Sequence, residues 1–180
     1  TEGYGLSEKV LERGLKMGEV DLVIALDCGT NSSNEAKSLE ERGIDLIVVD
    51  HHQSKEKLPS NAILVNPHLS KDHGEPWRFL CTAGLAFKLI HGMIKKLRQD
   101  GDKVALELSP KESIGLSGLG TIADLVPLKN ENRILANFGL KYLSQQSGIG
   151  VQALLKEAKV ENTSLVGEDV AFKIAPRINA

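Results

Sequence analysis

Aromatic side chains make up only 4% of this 180-residue sequence, with one Trp, two Tyr and four Phe. The core must therefore be aliphatic, assembled from Leu, Ile, Val and Ala. Cysteine is scarce as well. Cys28 and Cys81 stand far apart, which excludes a disulfide scaffold and suits the reducing cytoplasm. No apolar run reaches the ~18 residues of a membrane span, so no membrane role is expected. Thr1 to Ser7 has neither a basic start nor an apolar centre, unlike a signal peptide. An initiating Met is also missing, and the expectation is an excised piece of a longer chain. Strong net charge is absent too: 22 basic and 24 acidic side chains leave −2. That excludes a histone-like basic module but not a nucleic-acid substrate, because binding follows local charge. The first sixty residues carry 7 basic and 12 acidic groups, leaving 15 and 12 for the remainder.

What is present is ordinary for a globular chain: 41% hydrophobic and 26% charged residues, a composition unlike that of disordered chains. A single domain of this length buries roughly 70% of its unfolded surface and needs no staple. Ser7 to Gly18 reads as a short helix capped by Ser7, with Val10, Leu11 and Leu15 on one face. Val20 to Leu26 is a compact aliphatic run, the pattern of a strand buried on both faces. Ser32 and Glu35 form a capping box for a helix ending at Arg42, where Gly43 stops it. Ile44 to Val49 is a second buried strand, so strand, helix and strand follow as a βαβ unit. Ala62 to Val65 is a third strand, ending at Asn66-Pro67.

The second half is mostly helical. Ala86, Leu89, Ile90, Met93, Ile94 and Leu97 form one stripe on a helix of 82–99. Gln99 to Lys103 reads as a polar turn, and a helix from Pro110 carries Ile114, Leu119 and Ile122 toward Asp124. Another spans Asn130 to Leu143 with Ile134, Leu135, Phe138 and Tyr142 inward. A short helix near Val151–Lys156 and a brief one in the tail complete the pattern. The fold class is α/β: a parallel sheet flanked by helices, followed by a helical part.

Open parallel sheets bind ligands outside the carboxyl ends of their strands. Asp27 ends the first strand and Asp50-His51-His52 ends the second, so both clusters share one edge. A carboxylate and imidazoles converging there suit a transition ion such as Mn2+. Divalent ions acidify water and clamp the developing charge of an in-line phosphoryl displacement. A lone Asp after a strand is more often a helix cap, and Asp124 by itself carries no signal. From spacing alone, the pattern reads as a metal or phosphate site in an α/β domain. Cys28 reads as a small packing residue, His68 and His73 as solvated loop residues, and His91 as partly buried. Trp77 beside Pro76 reads as a loop anchor, with base stacking as the alternative.

Four segments occur in a telling order: Leu26-Asp27-Cys28-Gly29, Val49-Asp50-His51-His52, Gly120 to Leu128 (GTIADLVPL) and Ala175 to Ala180 (APRINA). Together they resemble the DHH phosphoesterase superfamily, and within it the RecJ-like single-strand-specific 5′→3′ exonucleases. Gly3-Tyr4-Gly5-Leu6, Val65-Asn66-Pro67 and Ala83 to Leu89 extend the resemblance over nearly the whole chain. The resemblance implies that Asp27, His51 and Asp124 are metal ligands, with Asp27 bridging two divalent ions, Mn2+ or Mg2+. It places His52 on the scissile phosphate, Asp50 as the partner that orients an imidazole, and Arg177 on a substrate phosphate. It also implies a cytoplasmic hydrolase of single-stranded DNA in repair and recombination. Its partners would be single-strand-binding and other recombination proteins, its state a monomer.

The departures are as informative. The family's first motif, an Asp-x-Asp pair after an earlier strand, has no counterpart: Glu2 is the only acid upstream of Tyr4. The later substrate-binding domain with its Gly-rich His motif and an oligonucleotide-binding domain are also not in the sequence. The expectation is one incomplete catalytic domain over 1–180, nearly inactive alone. Two alternatives stand beside the exonuclease. One is another DHH phosphoesterase, acting on oligoribonucleotides, cyclic dinucleotides or pyrophosphate; the other is a non-catalytic binding domain of the same fold.

Overall fold

The structure is a computed structural model that describes residues 5–54, 57–72, 74–146, 148–160 and 165–178. Gly3-Tyr4, His73 and Asn179-Ala180, singled out above, lie outside the described residues. The chain divides into two compact units, Thr1–Arg78 and Phe79–Ala180.

The first unit runs α1 (Glu8–Leu15), β1 (Leu22–Leu26), α2 (Ser33–Glu41), β2 (Asp45–Val49) and β3 (Ile63–Val65), then a 3-10 turn at Pro67–Leu69. Ser7 caps α1 by accepting from the Val10 N–H at 3.4 Å. Its described strands form one parallel sheet in the order β1-β2-β3, with Leu26 opposite Val49 and Val49 opposite Val65. The three strands therefore end level with one another. The backbone ladder continues past them, Asp27 N–H donating to Val49 O and Asp50 N–H to Val65 O, each at 3.0 Å. Leu11 of α1 and Ala36 and Leu39 of α2 pack with Ala25, Leu46 and Val48 on one face of the sheet. A fully buried aliphatic side chain of this kind stabilises by ~1.5–3 kcal/mol relative to exposure.

Two expectations are corrected here. β1 is not buried on both faces: Leu22, Ile24 and Leu26 remain about half exposed, because α1 and α2 both cover the opposite face. Ser32 occupies the N-cap of α2 without making the capping bond. Its hydroxyl donates instead to Leu6 O at 3.3 Å, tying the start of α2 to the segment before α1.

The second unit contains α3 (Thr82–Gln99), α4 (Lys103–Glu107), α5 (Lys111–Ala123), α6 (Asn130–Gln146) and α7 (Ile149–Glu157). A last helical stretch passes from α8 (Gly167–Asp169) through a π-helical turn (Val170–Ile174) into α9 (Ala175–Ile178). α5 packs on both α3 and α6. A Cβ on Gly118 would lie 2.7 Å from Gly139 Cα, and one on Gly120 would lie 2.5 Å from Ala83 Cβ. Glycine is what lets these helices approach. The aliphatic core comprises Ile122, Ala136, Leu143, Leu155, Val170, Ile174 and their neighbours.

Four readings change in this unit. On α6 Leu135 is buried as expected, but Ile134 and Phe138 are exposed while Ala136 and Leu143 go inside. The α3 stripe is buried only at Ile94, its Leu89, Ile90, Met93 and Leu97 being partly exposed. His91 is exposed rather than partly buried, its ring 6.2 Å from that of Phe87. Asp102 opens α4 by accepting from Ala105 N–H at 2.8 Å, so the polar turn after α3 is shorter than expected.

Candidate metal centre at the carboxyl edge of the sheet

Because the strands end level, Asp27, Asp50 and Asn66 stand side by side at the carboxyl edge. Asp27 takes a left-handed backbone conformation, φ 64°, and Gly29 follows with φ 103°. A non-glycine residue held there is strained, and such strain gathers at functional sites. A Cβ on Gly29 would press on Val48 at 3.1 Å, so the turn lies tightly on β2. These constraints bring Asp27 back toward the loop after β2, where His51 Nε2 lies 3.5 Å from its Oδ1. Asp27, His51 and His52 each offer a donor atom, all within 4.8 Å of one another.

Asp50 organises this cluster from below. It is buried, and its Oδ1 accepts from the N–H groups of His51 and His52 at 2.8 and 3.2 Å. His52 Nδ1 lies 2.7 Å from the same oxygen, and Thr30 N–H donates to Oδ2 at 3.2 Å. Burial by itself raises the Asp50 carboxyl. Hydrogen bonds from Thr30 and His52 outweigh it and hold the carboxyl down at about 2. An ionised carboxylate only accepts, so His52 Nδ1 carries the proton of that pair. The imidazole oriented by Asp50 is thus that of His52.

The polar cleft above has a volume of about 490 Å3 and is lined by Asp27, Thr30, Asn31, Asp50 and His52 among others. Its donor set, a carboxylate oxygen with imidazole nitrogens on an open edge, fits a divalent transition ion. Cys28 does not join it. Burial, then the charges of Asp50 and Asp27, push its thiol up, so it stays protonated and packs against the sheet core. Sequence reading missed Thr30 and Asn66, although Asn66 follows β3 just as Asp50 follows β2. His68, expected in solvent, is half-buried, and burial followed by the charges of Arg78 and His51 pushes it down.

Asp124 and Arg177 belong to the second unit. Asp124 is the exposed C-cap of α5, its N–H donating to Gly120 O at 2.9 Å, and Leu125 behind it has φ 56°. A carboxylate at a helix C-terminus opposes the macrodipole. Arg177 is exposed on α9 and donates to Lys173 O one turn earlier.

A level parallel edge carrying Asp27 and an Asp-His-His loop defines a class before any particular relative is considered. The model of the DHH family, N-terminal domain, matches residues 4–121, and the chain belongs to that family. Among particular proteins, it is similar to the single-stranded-DNA-specific exonuclease RecJ of Bacillus subtilis (strain 168). The two are 36% identical over 181 residues, 99% of this chain and 21% of that protein. The crystal structure of exonuclease RecJ bound to manganese matches with a TM-score of 0.80 and 33% identity, covering 99% of this chain and 42% of that one. RecJ from Thermus thermophilus in complex with Mn2+ matches with a TM-score of 0.77 and 32% identity, covering 95% and 24%. The same protein with Mg2+ matches at 0.61 and 30%, covering 94% and 23%. The chain thus spans about a fifth of the length of its Bacillus relative.

Proposed function

We propose that these residues are the core of a metal-dependent exonuclease that hydrolyses single-stranded DNA from its 5′ end. The convergence of Asp27, His51 and His52 within 4.8 Å carries this reading, with the RecJ relatives supplying the substrate class. Asp27 and His51 would hold divalent ions, Mn2+ or Mg2+, with Asp124 as a further ligand. Such ions supply positive charge to the scissile phosphate and lower the pKa of water. His52, oriented by Asp50, would face the scissile phosphate, and Arg177 a neighbouring phosphate of the strand. The role would be DNA repair and recombination, beside single-strand-binding protein, in a monomer. The free thiols Cys28 and Cys81 support a cytoplasmic setting. We read both units as parts of one catalytic domain.

The test uses the longer protein that carries this chain, with Mn2+ and a 5′-phosphorylated single strand. Mononucleotides should appear, duplex should be spared, and chelator should stop the reaction. Cleavage of cyclic dinucleotides or short oligoribonucleotides with single-stranded DNA left intact would overturn the reading.

A further inference from the structure

Asn66 ties together the loops that follow all three strands. Its amide nitrogen lies 3.0 Å from Thr30 Oγ1, in the loop after β1, and 2.9 Å from the carbonyl of His52, in the loop after β2. Its Oδ1 accepts from His68 N–H at 2.9 Å, capping the 3-10 turn that follows β3. A primary amide has two N–H donors and one carbonyl acceptor, and each finds a partner here. Thr30 is itself buried and donates its N–H to Asp50. The Asn66 amide thus closes a ring running from Thr30 through Asp50 to His52 and back. Asp would keep the cap while losing both donors, and Ala would lose everything.

We infer that Asn66 is a positioning residue, holding the Thr30 and His52 loops so that Asp27 and His51 stay within reach of one ion with His52 beside them. It acts through those loops and touches neither metal nor substrate. The inference rests on the metal-centre reading above. Loss of a residue supporting a metal ligand typically costs ~10–100-fold in metal affinity.

Two variants in the longer protein that carries this chain separate the possibilities. Asn66→Asp keeps the turn cap and removes the donors; Asn66→Ala removes both. Two readouts are taken: amide hydrogen exchange, and Mn2+ binding by calorimetry with Asp27→Ala as the reference for a lost ligand. In both Asn66 variants, exchange at Thr30, His51 and His52 should quicken about 10-fold while Ile24 and Val48 in the strands hold steady. Mn2+ affinity should fall by about 10-fold or more. Asn66→Asp behaving as the unmodified chain would reduce Asn66 to a turn cap and overturn the proposal. So would faster exchange throughout both strands, the mark of a general folding role. Local loosening with Mn2+ affinity intact, where Asp27→Ala loses it, would also overturn it. If the unmodified longer protein itself binds no Mn2+, the metal-centre reading fails; the exchange pattern then still decides whether Asn66 holds the loops. Should Asn66→Ala not fold, Thr30→Val breaks one arm of the ring alone and should give the same local pattern, with Thr30→Ser restoring it.

Discussion

Asp27 sits in the left-handed region at φ 64°, a conformation glycine adopts without penalty. Asp27→Gly should therefore leave the thermal midpoint at or above that of the unmodified chain while abolishing Mn2+ binding in calorimetry. A lower midpoint would mean that the carboxylate serves the fold and not the site. Asp50 makes the opposite trade. Its ordinary value of 3.8 falls to about 2 through bonds from Thr30 and His52 that outweigh its burial. A depressed folded value contributes stability in full above pH 3.8 and loses it as pH falls through about 2. The contribution is roughly 2 kcal/mol at about 1.4 kcal/mol per pH unit. In chelator, urea unfolding from pH 5 down to pH 2 should show that loss, and Asp50→Asn should flatten the curve over the same window. The Asp27 and Asp50-His51-His52 cluster was legible as sequence because strand ends place polar residues on one edge. Thr30 and Asn66 were not, since their roles lie in side-chain bonds to distant loops.

At the scale of elements, local signals worked where the chain supplies its own boundaries. The α3 limits, Thr82–Gln99, follow from the apolar period, and Ser7 caps α1 as its position demands. The face of α6 was misread for a physical reason. Hydrophobic periodicity weighs large side chains, whereas α6 meets α5 across Gly118 and Gly139, with Leu135 O only 2.7 Å from where a Gly118 Cβ would stand. The small residues set the contact and rotate Ile134 and Phe138 outward. Gly118→Ala should accordingly destabilise by about 1–3 kcal/mol or more through overpacking. Gly92→Ala on α3, where an added Cβ meets nothing within 4 Å, should be stabilising by ~0.4–1 kcal/mol. Urea denaturation of the two variants measures both, and equal effects would contradict the close helix approach.

For the whole molecule, the exposed face of the first unit's sheet has the clearest consequence. Leu22, Ile24 and Leu26 of β1 share that face with Ile63 and Val65 of β3, each between 40 and 64% exposed. Val49 of β2, between Leu26 and Val65 on that face, is fully buried and interrupts the apolar surface. Half-exposed apolar side chains on both flanking strands still promote association. Taken by itself, apart from the longer protein proposed above to be a monomer, the 180-residue chain should sediment as concentration-dependent oligomers, and Ile24→Thr with Leu26→Thr should shift it toward monomer without lowering its thermal midpoint. Unchanged sedimentation would show that this face does not drive assembly.

Local and periodic features are written in the residue spacing: the βαβ order, the aliphatic cores, the helix ends and the cluster of Asp27 with Asp50-His51-His52. These follow from residue spacing, because period and capping act over a few residues. The buried faces of β1 and α6, the orienting of His52 by Asp50 and the joining of three loops by Asn66 emerge only in the folded chain. Those depend on register and close approach between segments distant in sequence, which no local pattern encodes. The scarcity of aromatics is consistent with both levels: Leu, Ile, Val, Ala and Gly pack closely enough to bring the strand ends level and the helices into contact.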